Sequence, residues 1–170
     1  MVTILAYFQM DRNFKSNQLE TDEDFNQLAD RFYKLAQTYM EFLVRSASNI
    51  IECTEPLIAN AAFTCELYLK SLLLRERFNF YTIKKPENKH DLFDLYNHLS
   101  QQIKEKIKSI HPCTNEKREN FNLALKECGK AFEVLRYCCE YREMATNVQF
   151  LIELAGSLAE ISYNKTHGKE

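Results

Sequence analysis

The sequence predicts an all-α protein built as an up-and-down antiparallel bundle of four to five helices. Three observations favour this fold class. Apolar residues recur at three- and four-residue intervals through most of the chain, which is the spacing of one buried helical face. The 170 residues include only 3 Gly and 3 Pro, too few to punctuate a sheet of many short strands. The length suits a single domain with a substantial core.

The first helix is predicted from Thr21 to about Ser48. Thr21 precedes three acidic residues, and a capping hydroxyl with negative charge stabilises the end of a helix where N–H groups lack partners. The predicted buried face comprises Phe25, Leu28, Phe32, Leu35, Tyr39, Phe42 and Leu43. A second helix is predicted from Thr54, with Pro56 in the first turn, where the missing donor of proline costs nothing.

The segment from Arg77 to Lys89 lacks helical periodicity and is predicted to be a surface loop. An apolar line from Leu92 to Ile110 follows this segment. It fits either one long helix or two short helices with a break near Ser100, and the sequence leaves both alternatives open.

Two more helices are predicted from apolar stripes that begin near Asn115 and after Thr146. The whole bundle is expected to occupy residues 21–163. Residues 1–20 form an N-terminal extension whose pattern suits a short strand or a further helical turn, and residues 164–170 form a polar tail.

Composition and charge exclude several classes of function. The net charge of −2 provides no global positive field, so any contact with nucleic acid must be local. No uninterrupted apolar run approaches the length of a membrane span and no signal peptide is evident, which predicts a soluble, cytoplasmic protein without a membrane partner. The six cysteines lack the spacing of a four-ligand metal site, so we expect reduced thiols and neither a metal nor a cofactor.

Charged residues on the predicted core face mark a candidate site. Glu66 and Lys70 lie four residues apart in the second helix, and Glu66 shares its face with apolar residues. A buried carboxylate without a partner is costly, so Glu66 is expected to pair with a cation. Lys70 on the same helix and Arg136 on another are the two candidates, of which Arg136 is favoured.

Three further residues belong to the same hypothesis. Glu140 lies one turn after Arg136 on the same predicted helix, so this side of the helix carries both polar and apolar residues. Gly129 lies seven residues before Arg136, and a glycine there indicates the close approach of another helix or of a ligand. His90 opens a helix after the loop, where an imidazole could transfer protons or simply bond locally.

Three segments carry a resemblance to a known family. In order and spacing, CELYLKSLL (65–73), KHDLFDLYNHLS (89–100) and FEVLRYCCEYRE (132–143) resemble the HEPN family of bacterial and archaeal helical-bundle proteins. The resemblance covers about residues 24–160. It implies a bundle of four or five helices that commonly dimerises, in a family whose active members cut RNA without a metal through an Arg-x(4–6)-His motif.

The resemblance also implies a departure from that motif. Arg136 matches the arginine, but Tyr141, Arg142 and Glu143 stand where the histidine should follow. Tyrosine is a poor base and arginine stays protonated, so the general base of the family is missing. Ordinary cleavage of the family type is therefore not expected.

The sequence thus predicts a non-catalytic HEPN-type module that binds RNA, a nucleotide or a partner protein, and that forms a homodimer. The proposed polar cleft comprises Arg136, Glu66, Lys70, His90 and Glu140. Two alternatives stay open. One is a divergent, metal-independent endoribonuclease of toxin or defence type in which His90 replaces the missing base. The other is a dimerisation scaffold for a nucleotidyltransferase-like partner.

Overall fold

Helices account for all the regular structure in the part of the chain that the computed structural model describes, which is residues 19–46, 54–112, 118–131 and 147–168. The α-helices in these ranges are α1 (Asp22–Ser46), α2 (Thr54–Arg75), α3 (Leu92–Asn97), α4 (Gln101–Ile110), α5 (Arg118–Glu127) and α6 (Val148–His167). Two short 3-10 turns, Phe80–Thr82 and Pro86–Lys89, lie between α2 and α3. The predicted all-α class is confirmed for these ranges.

A capping box starts α1, as the sequence predicts. The N–H of Asp24 donates to the Thr21 hydroxyl (3.2 Å), and the Thr21 N–H donates back to the Asp24 carboxylate (3.0 Å). The buried face of α1 includes Leu28 and Leu43, but the prediction that Phe42 belongs to it is wrong, because its side chain is 54% exposed. Successive residues of a helix point about 100° apart, and at this end of α1 the buried direction is that of Leu43 and not that of Phe42.

Helices α1 and α2 pack as an antiparallel pair. Residues late in α1 contact residues early in α2, and the order reverses toward the other end. The pairs are Tyr39 with Phe63 (ring centroids 4.8 Å apart), Tyr33 with Tyr68 (6.2 Å), and the Ala29 carbonyl, which accepts from the Ser71 hydroxyl (2.9 Å). Burial of apolar area along this length is the main force that holds the pair together.

Helix α2 is the central helix of the protein. Besides its contacts with α1 it packs on α6, where the Cys65 thiol donates to the Leu151 carbonyl (3.4 Å). Among the described residues, Pro56–Arg75 is long and apolar enough to cross a membrane, but 83% of its most apolar 18-residue window is buried inside the protein. Such burial is typical of a helix that lies in the core of its own protein.

The segment after α2 contains no α-helix, as predicted, but it is not simply a surface loop. Arg77 adopts a left-handed backbone conformation (φ 63°), and the N–H groups of Arg77 and Phe78 donate to the carbonyls of Leu74 and Leu73. This arrangement closes the C-terminal end of α2. Phe80 then returns to the core, where it is 2% exposed. An isolated aromatic residue has no periodicity, so the sequence pattern does not reveal its burial.

Two short helices, not one long helix, follow this segment. Asp91 caps α3 by accepting from the Phe93 N–H (2.9 Å), and Ser100 caps α4 by accepting from the Ile103 N–H (3.4 Å). The break therefore falls at Ser100, because its hydroxyl satisfies a donor that would otherwise lack a partner at the start of α4.

The sequence predicts Gly129 inside a long helix, but α5 ends at Glu127 and Gly129 lies in the turn that follows. The predicted close approach of another element does occur there. The Leu92 N–H donates to the Gly129 carbonyl (2.9 Å). A Cβ atom at Gly129 would lie 2.6 Å from the Asp91 carboxylate oxygen that caps α3. The sequence left open whether another helix or a ligand approaches Gly129, and the structure shows that the neighbour is the start of α3.

At the C-terminal end, α6 runs on to His167 and so enters the predicted polar tail. Gly168, in a left-handed conformation (φ 62°), ends the helix. Most of the N-terminal extension, together with Arg136, Glu140 and the later part of the stripe that begins near Asn115, lies outside the described residues.

Gly129→Ala is expected to destabilise the protein by roughly 1–2 kcal/mol, because the new methyl group displaces the carboxylate oxygen that caps α3. Gly156→Ala in α6 is the matched control. No atom lies within 4 Å of a Cβ built there, so removing a glycine from the helix interior should stabilise by about 0.5–1 kcal/mol. Urea denaturation measures both changes. Equal effects of the same sign would contradict this account.

His111 makes the stability depend on pH. It is 1% exposed, packs against the rings of Phe121 and Phe150, and burial lowers its pKa from the ordinary value of 6.5. The unfolded chain therefore binds this proton more readily than the folded protein, and the free energy of unfolding should fall as the pH drops below about 6.5. His111→Leu should flatten this dependence. Thermal melting across this range measures the slopes.

Candidate functional site

A buried ion pair lies in the middle of the central helix. The Lys70 ammonium donates to Glu66 Oε1 at 2.6 Å, and the two residues are 6% and 2% exposed. Their spacing of four residues places them on the same side of α2. Of the two cations predicted for Glu66, Lys70 is therefore present. Arg136 lies outside the described residues, so its pairing with Glu66 stays a prediction.

Two aromatic rings lie close to the Lys70 ammonium. Its Nζ atom lies 5.0 Å from the ring centroid of Phe80 and 6.0 Å from that of Phe32. The faces of aromatic rings attract cations, and this attraction compensates in part for the water that the ammonium loses. Neither ring is recognisable from the sequence as part of the site, because Phe32 lies on the periodic core face of the first helix and Phe80 lies in a segment without periodicity.

His90 contacts the same carboxylate from the segment before α3. Its Nδ1 atom lies 2.9 Å from Glu66 Oε1, and its side chain is 49% exposed. Its neighbour Asp91 caps α3, which fixes the backbone on one side of the imidazole. We refer to Glu66, Lys70 and His90 together as the Glu66 cluster.

One buried atom of the Glu66 cluster lacks a partner in the described ranges. Glu66 Oε2 is buried and accepts no hydrogen bond there, although Oε1 serves both Lys70 and His90. A buried acceptor without a donor is unfavourable by about 1–3 kcal/mol, and more when it is charged. The predicted guanidinium of Arg136 is the kind of group that would satisfy it.

The Glu66 cluster is not an open cleft. Glu66 and Lys70 are sealed from solvent, and only His90 reaches the surface. The structure thus brings together three of the five residues predicted for the site, while Arg136 and Glu140 lie outside the described residues. A separate open groove of about 370 Å³ contains none of them and is lined by Gln37, Met40, Glu41, Val44, Arg45 and Tyr68.

The chemistry of the Glu66 cluster follows from the orientation of the imidazole. When Nδ1 carries its proton toward the carboxylate, Nε2 of the neutral ring is left with a lone pair and can accept a proton or a hydrogen bond. When the ring is protonated, Nε2 becomes a charged donor suited to an anion. Among the described residues no side chain bonds to Nε2. The group that a ligand can reach at this site is therefore the imidazole of His90, which is held in place by the buried Glu66–Lys70 pair.

The protein is an all-α protein in the ranges described above. No protein-family model matches the chain, and the searches of curated proteins and solved structures found no match either. These comparisons give the HEPN resemblance no support, and it stays a prediction from the three segments quoted above.

Breaking the buried ion pair should be strongly destabilising. Glu66→Leu leaves the Lys70 ammonium in the core without its carboxylate, which is expected to cost about 3–5 kcal/mol. The double variant Glu66→Leu/Lys70→Met removes both charges and should recover most of that loss. Urea denaturation of the single and double variants measures the coupling. A loss below about 1 kcal/mol in the single variant would mean that the pair behaves as a surface pair.

Proposed function

We propose that this protein is a non-catalytic binding module in which His90 is the residue that contacts the ligand. The contact between His90 Nδ1 and buried Glu66 Oε1, at 2.9 Å, carries the proposal. It holds a half-exposed imidazole in one orientation before any ligand arrives, and preorganisation of this kind lowers the entropy lost on binding. The HEPN-like up-and-down bundle, the homodimer and the cytoplasmic location are part of the same proposal.

RNA or a nucleotide is the ligand class that we favour over a partner protein. A protonated imidazole next to a carboxylate is a charged donor, and phosphate oxygens are strong acceptors for such donors. The imidazole of His90 is the exposed part of the Glu66 cluster, because Glu66 and Lys70 are buried and add no surface around it. Protein interfaces usually depend on larger aromatic and apolar anchors.

A second candidate function is the divergent, metal-independent endoribonuclease. The observation that favours it is the same hydrogen bond, because a carboxylate that orients an imidazole is a common arrangement for a general base. In this case Nε2 of His90 would accept the proton of an RNA 2′-hydroxyl. The scaffold alternative has no comparable observation in its favour.

Loss of the imidazole should weaken binding without unfolding the protein. We expect His90→Ala to reduce the affinity for a single-stranded RNA of about 12 nucleotides, or for ATP, by about 10-fold, as for a hydrogen bond to a charged group. His167→Ala, which removes another exposed histidine at the end of α6, should leave the affinity unchanged. Fluorescence anisotropy measures binding, and thermal melting confirms that both variants are folded.

The outcomes separate the two candidate functions. If neither RNA nor ATP binds, or if His90→Ala binds like the unmodified protein, the binding proposal is wrong. If gel electrophoresis shows that the unmodified protein cuts the RNA and that His90→Ala does not, the ribonuclease is the correct function. Binding that is lost in His90→Ala, with the RNA intact throughout, supports the non-catalytic module.

A further inference from the structure

The segment from Phe80 to His90, which we call the lysine loop, rests on the Glu66–Lys70 ion pair at both of its ends. The ring of Phe80 lies over the Lys70 ammonium (5.0 Å), and the imidazole of His90 lies against the Glu66 carboxylate (2.9 Å). One turn of α2 separates these two anchor points. The lysine loop is therefore attached to the core at its beginning and at its end.

Hydrogen bonds within the lysine loop shape the part between the anchors. Ile83 donates its N–H to the Phe80 carbonyl (3.2 Å), and Asn88 donates its N–H to the Lys85 carbonyl (3.0 Å). The second bond folds residues 85–88 into a single turn, continued by the 3-10 turn that ends at Lys89. The backbone of the lysine loop is thus held as two consecutive turns.

Three lysines lie on this held backbone. Lys84 and Lys85 are exposed, Lys89 is half-buried, and none of them forms an ion pair with a side chain that the structure describes. The acidic residue nearest to His90 in the sequence, Asp91, has its carboxylate engaged in capping α3. The sequence from 84 to 90 contains three lysines and one glutamate, so the lysine loop is locally cationic although the chain as a whole is not.

We infer that the lysine loop is a phosphate-binding site, with Lys84, Lys85 and Lys89 as the contacts and with His90 at its edge. This inference rests on the proposed function and names the chemistry of its ligand. Glu66 and Lys70 are sealed beneath the loop, so they act as positioning residues and do not touch the phosphate. Cations on a prearranged backbone attract phosphate through a field that is local and is screened by salt.

Salt dependence is the property that distinguishes this site from the imidazole contact alone. Each phosphate that a lysine neutralises on a single strand releases counterions and contributes about 0.7 to the slope of log affinity against log salt concentration. The double variant Lys84→Gln/Lys85→Gln should therefore lower the magnitude of that slope by about 1.4 for RNA. His90→Ala, in contrast, should weaken binding with a smaller change of slope.

The experiment measures the anisotropy of labelled single-stranded RNA at several sodium chloride concentrations. Lys34→Gln/Lys126→Gln is the matched control, because it removes two exposed lysines of α1 and α5 from the same chain. Competition by ATP and by inorganic pyrophosphate identifies the source of the phosphate. If pyrophosphate competes with the RNA, phosphate is sufficient for binding. If ATP competes and pyrophosphate does not, more of the nucleotide than its phosphates is recognised, and a site for phosphate alone is overturned.

The results separate this inference from the proposed function. If RNA binds and His90→Ala weakens it, but the two lysine double variants have the same slope, the phosphate site is wrong while the binding module stands. If the loop variant lowers the slope and the control variant does not, the phosphate site is supported. If no phosphate-bearing probe binds to the unmodified protein, the proposed function fails and the inference fails with it.

Discussion

The burial of one carboxylate in the central helix is the constraint on which the candidate site depends. Glu66 is 2% exposed, and an ion there is tolerated only if nearby donors compensate for lost water. Lys70 provides charge from the same helix, and His90 provides a second donor from a segment 24 residues away in the sequence. The contacts that compensate for the buried charge thus hold the lysine loop against α2 and determine the position of the exposed imidazole.

Local signals in the sequence predicted the features that depend on local chemistry. Thr21 revealed the start of α1, because capping involves residues three positions apart. Lys70 was one of the two cations predicted for Glu66, although Arg136 was favoured, because a spacing of four residues places two side chains together on any helix. Gly129 indicated the close approach of another element, because a glycine leaves room that a larger side chain would fill.

Features that depend on the path of the chain were beyond the sequence. The periodicity that marks helices says nothing about Phe80, a single aromatic residue between two turns, nor about its position above Lys70. The link between His90 and Glu66 joins two segments with no common pattern, so only the fold brings them together. Phe42 shows the opposite case, in which a residue with suitable spacing lies just outside the buried sector of its helix.

The position of α6 against α2 has a consequence for how the protein is made. The α1–α2 hairpin joins residues that are close in sequence, whereas the Cys65–Leu151 contact joins residues 86 positions apart. Ribosomal synthesis releases the chain from its N-terminus, so α1 and α2 emerge long before their last partner. Until then the side of α2 that α6 will cover is an apolar surface on a nascent polypeptide, which is the type of surface that chaperones bind.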